Sequence, residues 1–513
     1  MNLHKLAIDN VESLLDSQIY CYGYSPVSME ELTERFPISG KIEAVIDDNV
    51  RNWGNLSVGG RIVDVSGNIH LQEVNLDRTV FLIVDDYWQE AYERLVKILD
   101  GIGYQQDIYY YESRENAIAM EYRRRYEGKE LEDIIIFRSG PHASAYVKGM
   151  DFADNARALY EYMLDNRFNE RYRLVWLVKN PSEFVRHADI PNTCFLPFDW
   201  SISENKEERD AYYEALCLAR YIFFTDAYGF ARNCRPDQVR VQLWHGCGFK
   251  TRVNFVRCEK RYEYTTVISQ VYSRIHQDIY GLREEQMLIT GYAKQDWLFH
   301  PVKGALEELG IPKAGRYIFW LPTFRMAGEG MQNLNEYEFH NQTGLPVVDT
   351  EEKMEKLNAL LRERDIVLVI KLHPFQDRGK IRGEARNHIV LLDNEQLAEK
   401  DIQINQLLGY ADALVSDYSS AAVDYMLLDR PIGFTLDDME EYSRSRGFVF
   451  GNIREWLPGK ELFTFEDFCA FCREIGERID SSEKKRRRLR DRMHQYKDDN
   501  NCRRIVEALK IKV

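Results

Sequence analysis

Short apolar runs and longer amphipathic runs alternate along this chain. Near the start, SQIYCYGYS (17–25) reads as a strand, VSMEELTERF (27–36) as a helix and KIEAVIDDN (41–49) as a strand. TVFLIVDD (79–86) and YWQEAYERLVKILDGIGY (87–104) then read as a further strand and helix. Strands alternating with helices of this length predict a parallel α/β sheet. The pattern weakens in the charge-rich EYRRRYEGKELED (121–133) and restarts at IIIFRSG (134–140), which places a domain boundary there. A second α/β block follows: helix DNARALYEYMLDN, strand YRLVWLVKN, a short strand near NTCFLPF, helix ERDAYYEALCLAR, strand YIFFTDA and then VRVQLWHG (239–246). A third runs from strand RYIFWLPTF (316–324) through helix TEEKMEKLNALLRERD, strand IVLVIKLHP, helix INQLLGYA, strand DALVSDYSS and helix AAVDYMLLD, and the last segment is helical. The expected domains are therefore 1–125, 130–300 and 301–513.

The length of 513 residues agrees with about three domains. With 44% hydrophobic positions the chain can bury sizeable cores, which excludes wholesale disorder. A net charge of −15 argues against a dedicated nucleic-acid binder, which needs a broad basic face. No run reaches the 18 or so apolar residues of a spanning helix, and the opening MNLHKLAIDNVESLLDSQ carries charges where a signal peptide needs its apolar segment. A cytoplasmic location is the expectation. Nine cysteines without paired spacing fit reduced thiols. The one CxxC, Cys469 to Cys472, lies in a helix-like run with no second ligand pair near it, so a structural role is expected rather than zinc.

The first strand-to-helix turn, Tyr22-Gly23-Tyr24-Ser25, stands where a dinucleotide fold has its glycine-rich loop, and Asp47 and Asp48 stand where that fold has its ribose-binding acid. Only one glycine is present, and the tyrosines and Pro26 obstruct a pyrophosphate. That favours a structural or partner-binding Rossmann-like domain of unknown role over a cofactor site.

Four segments place polar side chains at the carboxyl end of a predicted strand, the edge where open α/β sheets bind ligands. His245 and Gly246 follow one apolar run; histidine suits proton transfer near neutrality, although packed histidines are common. Thr323 and Arg325 follow a second, and the arginine fork matches phosphate oxygens unless it pairs with a nearby acid. In the third, Lys371 and His373 lie on one side of the strand, suited to an anion, before Pro374 stops it. The fourth is Ser416-Asp417-Tyr418-Ser419-Ser420, whose serines cap a helix and whose first-turn amides can meet phosphate. Two histidines, a lysine, an arginine and a serine-capped helix start over two α/β blocks make an unusual set.

Those residues carry a resemblance. WHG (244–246), TGYAKQDWLF (290–299), PTFR (322–325), KLHP (371–374), SDYSSAAVDYMLLDRPIGF (416–434), EEYSRSRGF (440–448) and PGK (458–460) keep the motif order of the CDP-glycerol glycerophosphotransferases of teichoic acid synthesis, which the chain resembles over about 130–500. The resemblance implies a GT-B architecture, two facing Rossmann-like domains, the first on the acceptor side and the second binding the CDP donor. It implies that His245 and His373 match the family's two essential histidines and that Asp417, Ser419 and Ser420 match its donor-holding segment. It implies transfer of an alcohol phosphate from CDP-glycerol or another CDP-polyol to a lipid-linked glycan or polyol-phosphate acceptor, with release of CMP. On this footing Gly246, Thr323, Arg325 and Lys371 are substrate-binding candidates, and no metal is expected because no clear Asp-x-Asp element ends a strand in the catalytic half.

Two departures stand beside the expected sites: Cys247-Gly248-Phe249 replaces the family's Thr-Pro-Leu after Trp-His-Gly, and Phe324 replaces a tryptophan. They leave open which polyol phosphate is moved and whether the chain polymerises or adds once. A nucleotide-sugar glycosyltransferase on the same fold and a non-catalytic scaffold subunit are the alternative readings. The basic run 484–492 reads as a solvated helix face, and in the family's context as a contact with an anionic membrane surface.

Overall fold

The computed structural model describes the chain outside residues 48–53, 59, 68–73, 141–148, 188, 199–202, 226–233, 252–260, 324–340, 373–386 and 446. Its strands are β1 (Leu3–Lys5), β2 (Gln18–Tyr22), β3 (Ile42–Ile46), β4 (Gly54–Val58), β5 (Arg61–Ser66), β6 (Thr79–Ile83) and β7 (Ile108–Tyr110) in a first sheet. A second sheet holds β8 (Glu132–Arg138), β9 (Arg173–Val178), β10 (Thr193–Pro197), β11 (Ala219–Phe224), β12 (Val239–Gln242), β13 (Tyr264–Val267) and β14 (Met287–Ile289). A third holds β15 (Arg316–Trp320), β16 (Ile366–Lys371), β17 (Ile389–Leu392), β18 (Ala413–Ser416), β19 (Ile432–Thr435) and β20 (Lys460–Leu462).

The second sheet runs β10-β9-β8-β11-β12-β13-β14 and the third β17-β16-β15-β18-β19-β20, every pair parallel. Both are doubly wound, with the switch point between the first and fourth strands. Central strands such as β6 and β18 are buried along their whole length, as a sheet covered by helices on both faces requires. In the first sheet only β4 runs antiparallel, as a hairpin with β5.

At the first turn of that sheet Gly23 has φ +77°, and a Cβ there would lie 2.6 Å from Cβ of Asp85. The lone glycine thus makes room for a side chain of the next strand's loop. Asp47 is buried at the end of β3, and Asp48 lies outside the described residues.

One stretch differs from the sequence reading. The first part of the stretch read as a charge-rich linker, residues 121–126, is the end of a helix, Arg114–Tyr126. Arg123, Arg124 and Arg125 mask its periodicity, but Ala119, Tyr122 and Tyr126 form a buried stripe, and Tyr122 stacks on Tyr213 at 4.3 Å. Short strands also went unread, among them β13, β14, β17, β19 and β20.

The last helix, Asn501–Ala508, returns to the second sheet's layer. Asp296 accepts from the amides of Asn501 (2.9 Å) and Cys502 (2.8 Å), and Cys502, Ile505 and Val506 join the core around Phe137 and Trp176. Cys469 and Cys472 are buried in helix Phe465–Glu477, among apolar neighbours that push both thiols up.

His494 is buried behind helix Glu483–Met493, with Nε2 donating to the Val423 carbonyl at 2.8 Å. Burial disfavours the imidazolium and takes its pKa down to about 4, below the ordinary 6.5. Its contribution to stability is present above pH 6.5 and is lost as pH falls through the window to 4, about 3 kcal/mol in all. Urea midpoints compared at pH 7 and pH 4.5 are expected to fall less in His494→Gln than in the native chain; equal falls would refute this assignment.

Candidate functional site

The turn after β12 is held at every residue. Gln242 Oε1 accepts from the Trp244 amide (3.0 Å), and Asn155 Nδ2 donates to the carbonyls of Leu243 (3.1 Å) and Trp244 (2.7 Å). Trp244 stacks on Tyr280 at 4.3 Å and has φ +52°, which puts the next residue, His245, at the sheet edge with its side chain 49% exposed. Gly246 has φ +146°, and a Cβ there would lie 3.0 Å from Ser420 Oγ. Glycine is needed because this turn, from the second sheet, presses against the helix start of the third.

Behind His245 lies a buried charged cluster. Its Nδ1 is 3.1 Å from Asp154 Oδ2, and Lys294 Nζ is 2.9 Å from Asp154 Oδ1 and donates to the His245 carbonyl. Burial works to raise the Asp154 carboxyl, but Lys294 and His245 outweigh it and hold it below the ordinary range. Burial likewise opposes the Lys294 charge, which Asp154 and Asp424 nevertheless carry above the usual lysine value. Asp424, which accepts from Gln295 Nε2 at 2.6 Å, is pushed up by burial to about 6. Cys247 faces inward, its sulfur 2.9 Å from the Tyr292 hydroxyl, and burial pushes its thiol up, the opposite of what a thiolate nucleophile needs.

At the third sheet's switch point, Thr323 follows β15 and Asp417 follows β18. The buried Asp417 carboxylate accepts from the Thr323 amide (2.7 Å) and hydroxyl (2.5 Å), while Lys250 Nζ donates to the same hydroxyl at 3.4 Å. Ser419 caps helix Ser420–Tyr425 by accepting from the Ala421 amide (3.3 Å). Lys371 closes β16 and donates to Asn394 Oδ1. A crevice of about 190 Å³ between the two bodies is lined by Asp154, Lys294, Lys371, Asn394, Gln403 and Asn405. Arg325 and His373 lie outside the described residues.

Two further ties cross the seam between the bodies. Residues 249–251 pair with 447–449 through Val449 N to Phe249 O (2.9 Å) and Thr251 N to Gly447 O (3.2 Å), beside the Tyr418–Tyr442–Phe448 ring cluster. Arg157, almost fully buried, pairs with Glu161 (2.7 Å) and with Asp401 across the seam (2.8 Å). The WHG, SDYSS and EEYSRSRGF segments, far apart in the chain, therefore meet in one place. Sequence reasoning missed Asp154, Asn155, Lys250, Lys294 and Asp424; the available signals were the Asp-Asn pair opening a helix and the lysine in TGYAKQDWLF. Among the described residues no three His, Cys, Asp or Glu side chains gather so as to hold a metal ion.

Comparison with known proteins adds the following. The family model described as CDP-Glycerol:Poly(glycerophosphate) glycerophosphotransferase matches residues 137–510. The teichoic acid ribitol-phosphate polymerase TarK of Staphylococcus aureus (strain NCTC 8325 / PS 47) is 26% identical over 335 residues, 61% of each chain. The teichoic acid glycerol-phosphate primase of Bacillus subtilis (strain 168) is 25% identical over 293 residues, 54% of this chain and 69% of that one. The chain spans only 61% of TarK, 51% of TarL and 42% of a Staphylococcus epidermidis polymerase. Among solved structures, the wall teichoic acid polymerase TagF superposes with TM-score 0.58 at 19% identity, covering 82% of this chain and 97% of that one. The fold is α/β with a GT-B architecture.

Proposed function

The chain belongs to the CDP-glycerol:poly(glycerophosphate) glycerophosphotransferase family, and from that premise we propose that it moves glycerol phosphate or a related polyol phosphate from a CDP-activated donor to a hydroxyl of a polyol-phosphate or glycan acceptor, releasing CMP, in the synthesis of a teichoic acid or capsular polymer. The observation that carries this reading is the docking of the His245 turn on Ser420, which sets a candidate proton acceptor of one body beside a serine-capped helix start of the other. That TagF has been soaked with CDPG accords with a CDP-linked donor.

The acceptor oxygen attacks the β-phosphorus; the new P–O bond forms as the bond to CMP breaks, and His245 takes the hydroxyl proton. Lys371, with Arg325 and His373, offsets the diphosphate charge, while Gly246, Thr323, Asp417, Ser419 and Ser420 shape the donor side. Phosphoryl transfer depends mainly on alignment and charge stabilisation, which a crevice between two bodies provides. A screen of the purified chain against CDP-glycerol, CDP-ribitol and nucleotide sugars, with a polyol-phosphate acceptor, is expected to give acceptor-dependent CMP release. Turnover of a nucleotide sugar alone would overturn the reading.

In the same reading the acceptor is lipid-linked, and helix Glu483–Met493 meets an anionic membrane through the exposed Lys484, Arg488 and Arg492. No helix among the described residues is long and apolar enough to cross a membrane. Co-sedimentation with phosphatidylglycerol vesicles is expected to weaken about tenfold or more in Lys484→Glu/Arg488→Glu, since each basic residue contributes roughly 1 kcal/mol; unchanged binding would remove this contact.

A further inference from the structure

We propose that Asp154 is a positioning residue for His245: it holds the ring through Nδ1, so that Nε2 is the nitrogen that receives the acceptor proton, and Lys294 keeps the carboxylate in place to do so. This rests on the transferase reading of His245 given above.

The two oxygens of Asp154 have separate tasks. Oδ2 faces His245 Nδ1 at 3.1 Å, and Oδ1 faces Lys294 Nζ at 2.9 Å. The same ammonium donates to the His245 carbonyl, so one cation ties the carboxylate to the residue it orients. The next residue, Asn155, holds the backbone of the turn through Leu243 and Trp244, and its Oδ1 accepts from the Lys294 amide at 3.1 Å. Asp154 and Trp244, with φ +62° and +52°, are both non-glycine residues in the left-handed region. That conformation is costly and persists where the surroundings fix it, often at functional sites.

A carboxylate only accepts hydrogen bonds, so the ring nitrogen facing it carries the proton, and in the neutral imidazole the basic lone pair is then on Nε2. Asp154 keeps its charge here because Lys294 and His245 outweigh the effect of burial. Among the described residues, the titratable and charged groups around the turn include Asp154 at the start of its helix, Lys294 from segment Ala293–Phe299, Asp424 from helix Ser420–Tyr425, and Cys247, His276 and Tyr292 on the inner side. A purely structural Asp154 would need only to neutralise Lys294; its second oxygen would have no reason to meet the ring.

The test uses the full chain with isotope-labelled histidine, the His245 signal being assigned by its loss in His245→Gln. The expected result is an Nδ1–H tautomer and a titration midpoint at least about one pH unit higher than in Asp154→Asn. If that variant does not fold, Lys294→Gln and Asp154→Asn/Lys294→Gln make the same comparison in a pocket already without the ammonium. In CMP release from CDP-glycerol, Asp154→Asn is expected to lower kcat about tenfold or more with KM within about twofold, and to move the acid limb of kcat/KM down with the titration midpoint. An Nε2–H tautomer, or identical titration with and without the carboxylate, overturns the proposal. A native chain that shows the tautomer and the shift but releases no CMP defeats the transferase reading and leaves the positioning role standing.

Discussion

His245→Ala is expected to lower acceptor-dependent CMP release by about two to four orders of magnitude, the usual contribution of a positioned general base, while the protein folds normally. The fold should survive because the imidazole is 49% exposed and because Asp154, once the ring is removed, keeps its ion pair with Lys294 at 2.9 Å. The backbone of the turn is fixed by Asn155 and by the close contact of Gly246 with Ser420, neither of which needs the ring. The check is steady-state CMP release beside a thermal melt and direct titration with CDP-glycerol. A rate within tenfold of the native one in a folded variant would assign the proton to another group. A cooperative loss of structure would instead show that the histidine belongs to the packing of the seam.

The largest stability effect is expected from Arg486→Met. This guanidinium, 1% exposed, is in the middle of the basic run, yet it bonds the Asp429 carboxylate (3.1 Å) and carbonyl (3.0 Å) and pairs with Asp480 (2.7 Å). Arg487 (2.7 Å) and Arg490 (3.4 Å) converge on the other Asp429 oxygen. Asp429 itself, at φ +53°, ends the segment that follows Ser419 and Ser420, so the network supports the donor-side helix from behind. Removing one partner of a buried ion pair costs up to about 3–5 kcal/mol; here Asp480 and the Asp429 carbonyl lose their guanidinium donor, while Arg487 and Arg490 still meet the Asp429 carboxylate. Arg488→Met, at an exposed position of the same helix, should stay within about 0.5 kcal/mol. Urea midpoints of the two variants test this, and equal midpoints would sink it.

The contrast between Arg486 and Arg488 shows how far the sequence could be read. The seven basic residues between 484 and 492 look alike in the sequence, and only the fold separates the buried guanidinium from its exposed neighbours. The same limit explains the helix Arg114–Tyr126, whose last turn of arginines hid the stripe Ala119, Tyr122 and Tyr126. It also explains why His245 was legible and Asp154 was not. A histidine followed by glycine after an apolar strand is a local pattern, whereas Asp154 and Lys294 reach it from 91 and 49 residues away. Thr323 and Asp417 were both read as ligand-facing candidates, but their mutual hydrogen bonds across adjacent strands could not be.

By itself, the sequence determined the alternation of strands and helices, the apolar strands buried on both faces and the placing of polar residues at their carboxyl ends. Those properties follow from the periodicity of side chains along a few neighbouring residues. The pairing of charges was decided only by the tertiary structure: Asp154 with His245 and Lys294, Asp417 with Thr323, Arg486 with Asp429. Hydrogen bonds and ion pairs act over a few ångströms in space, and the chain brings such partners together only when whole sheets have packed against each other.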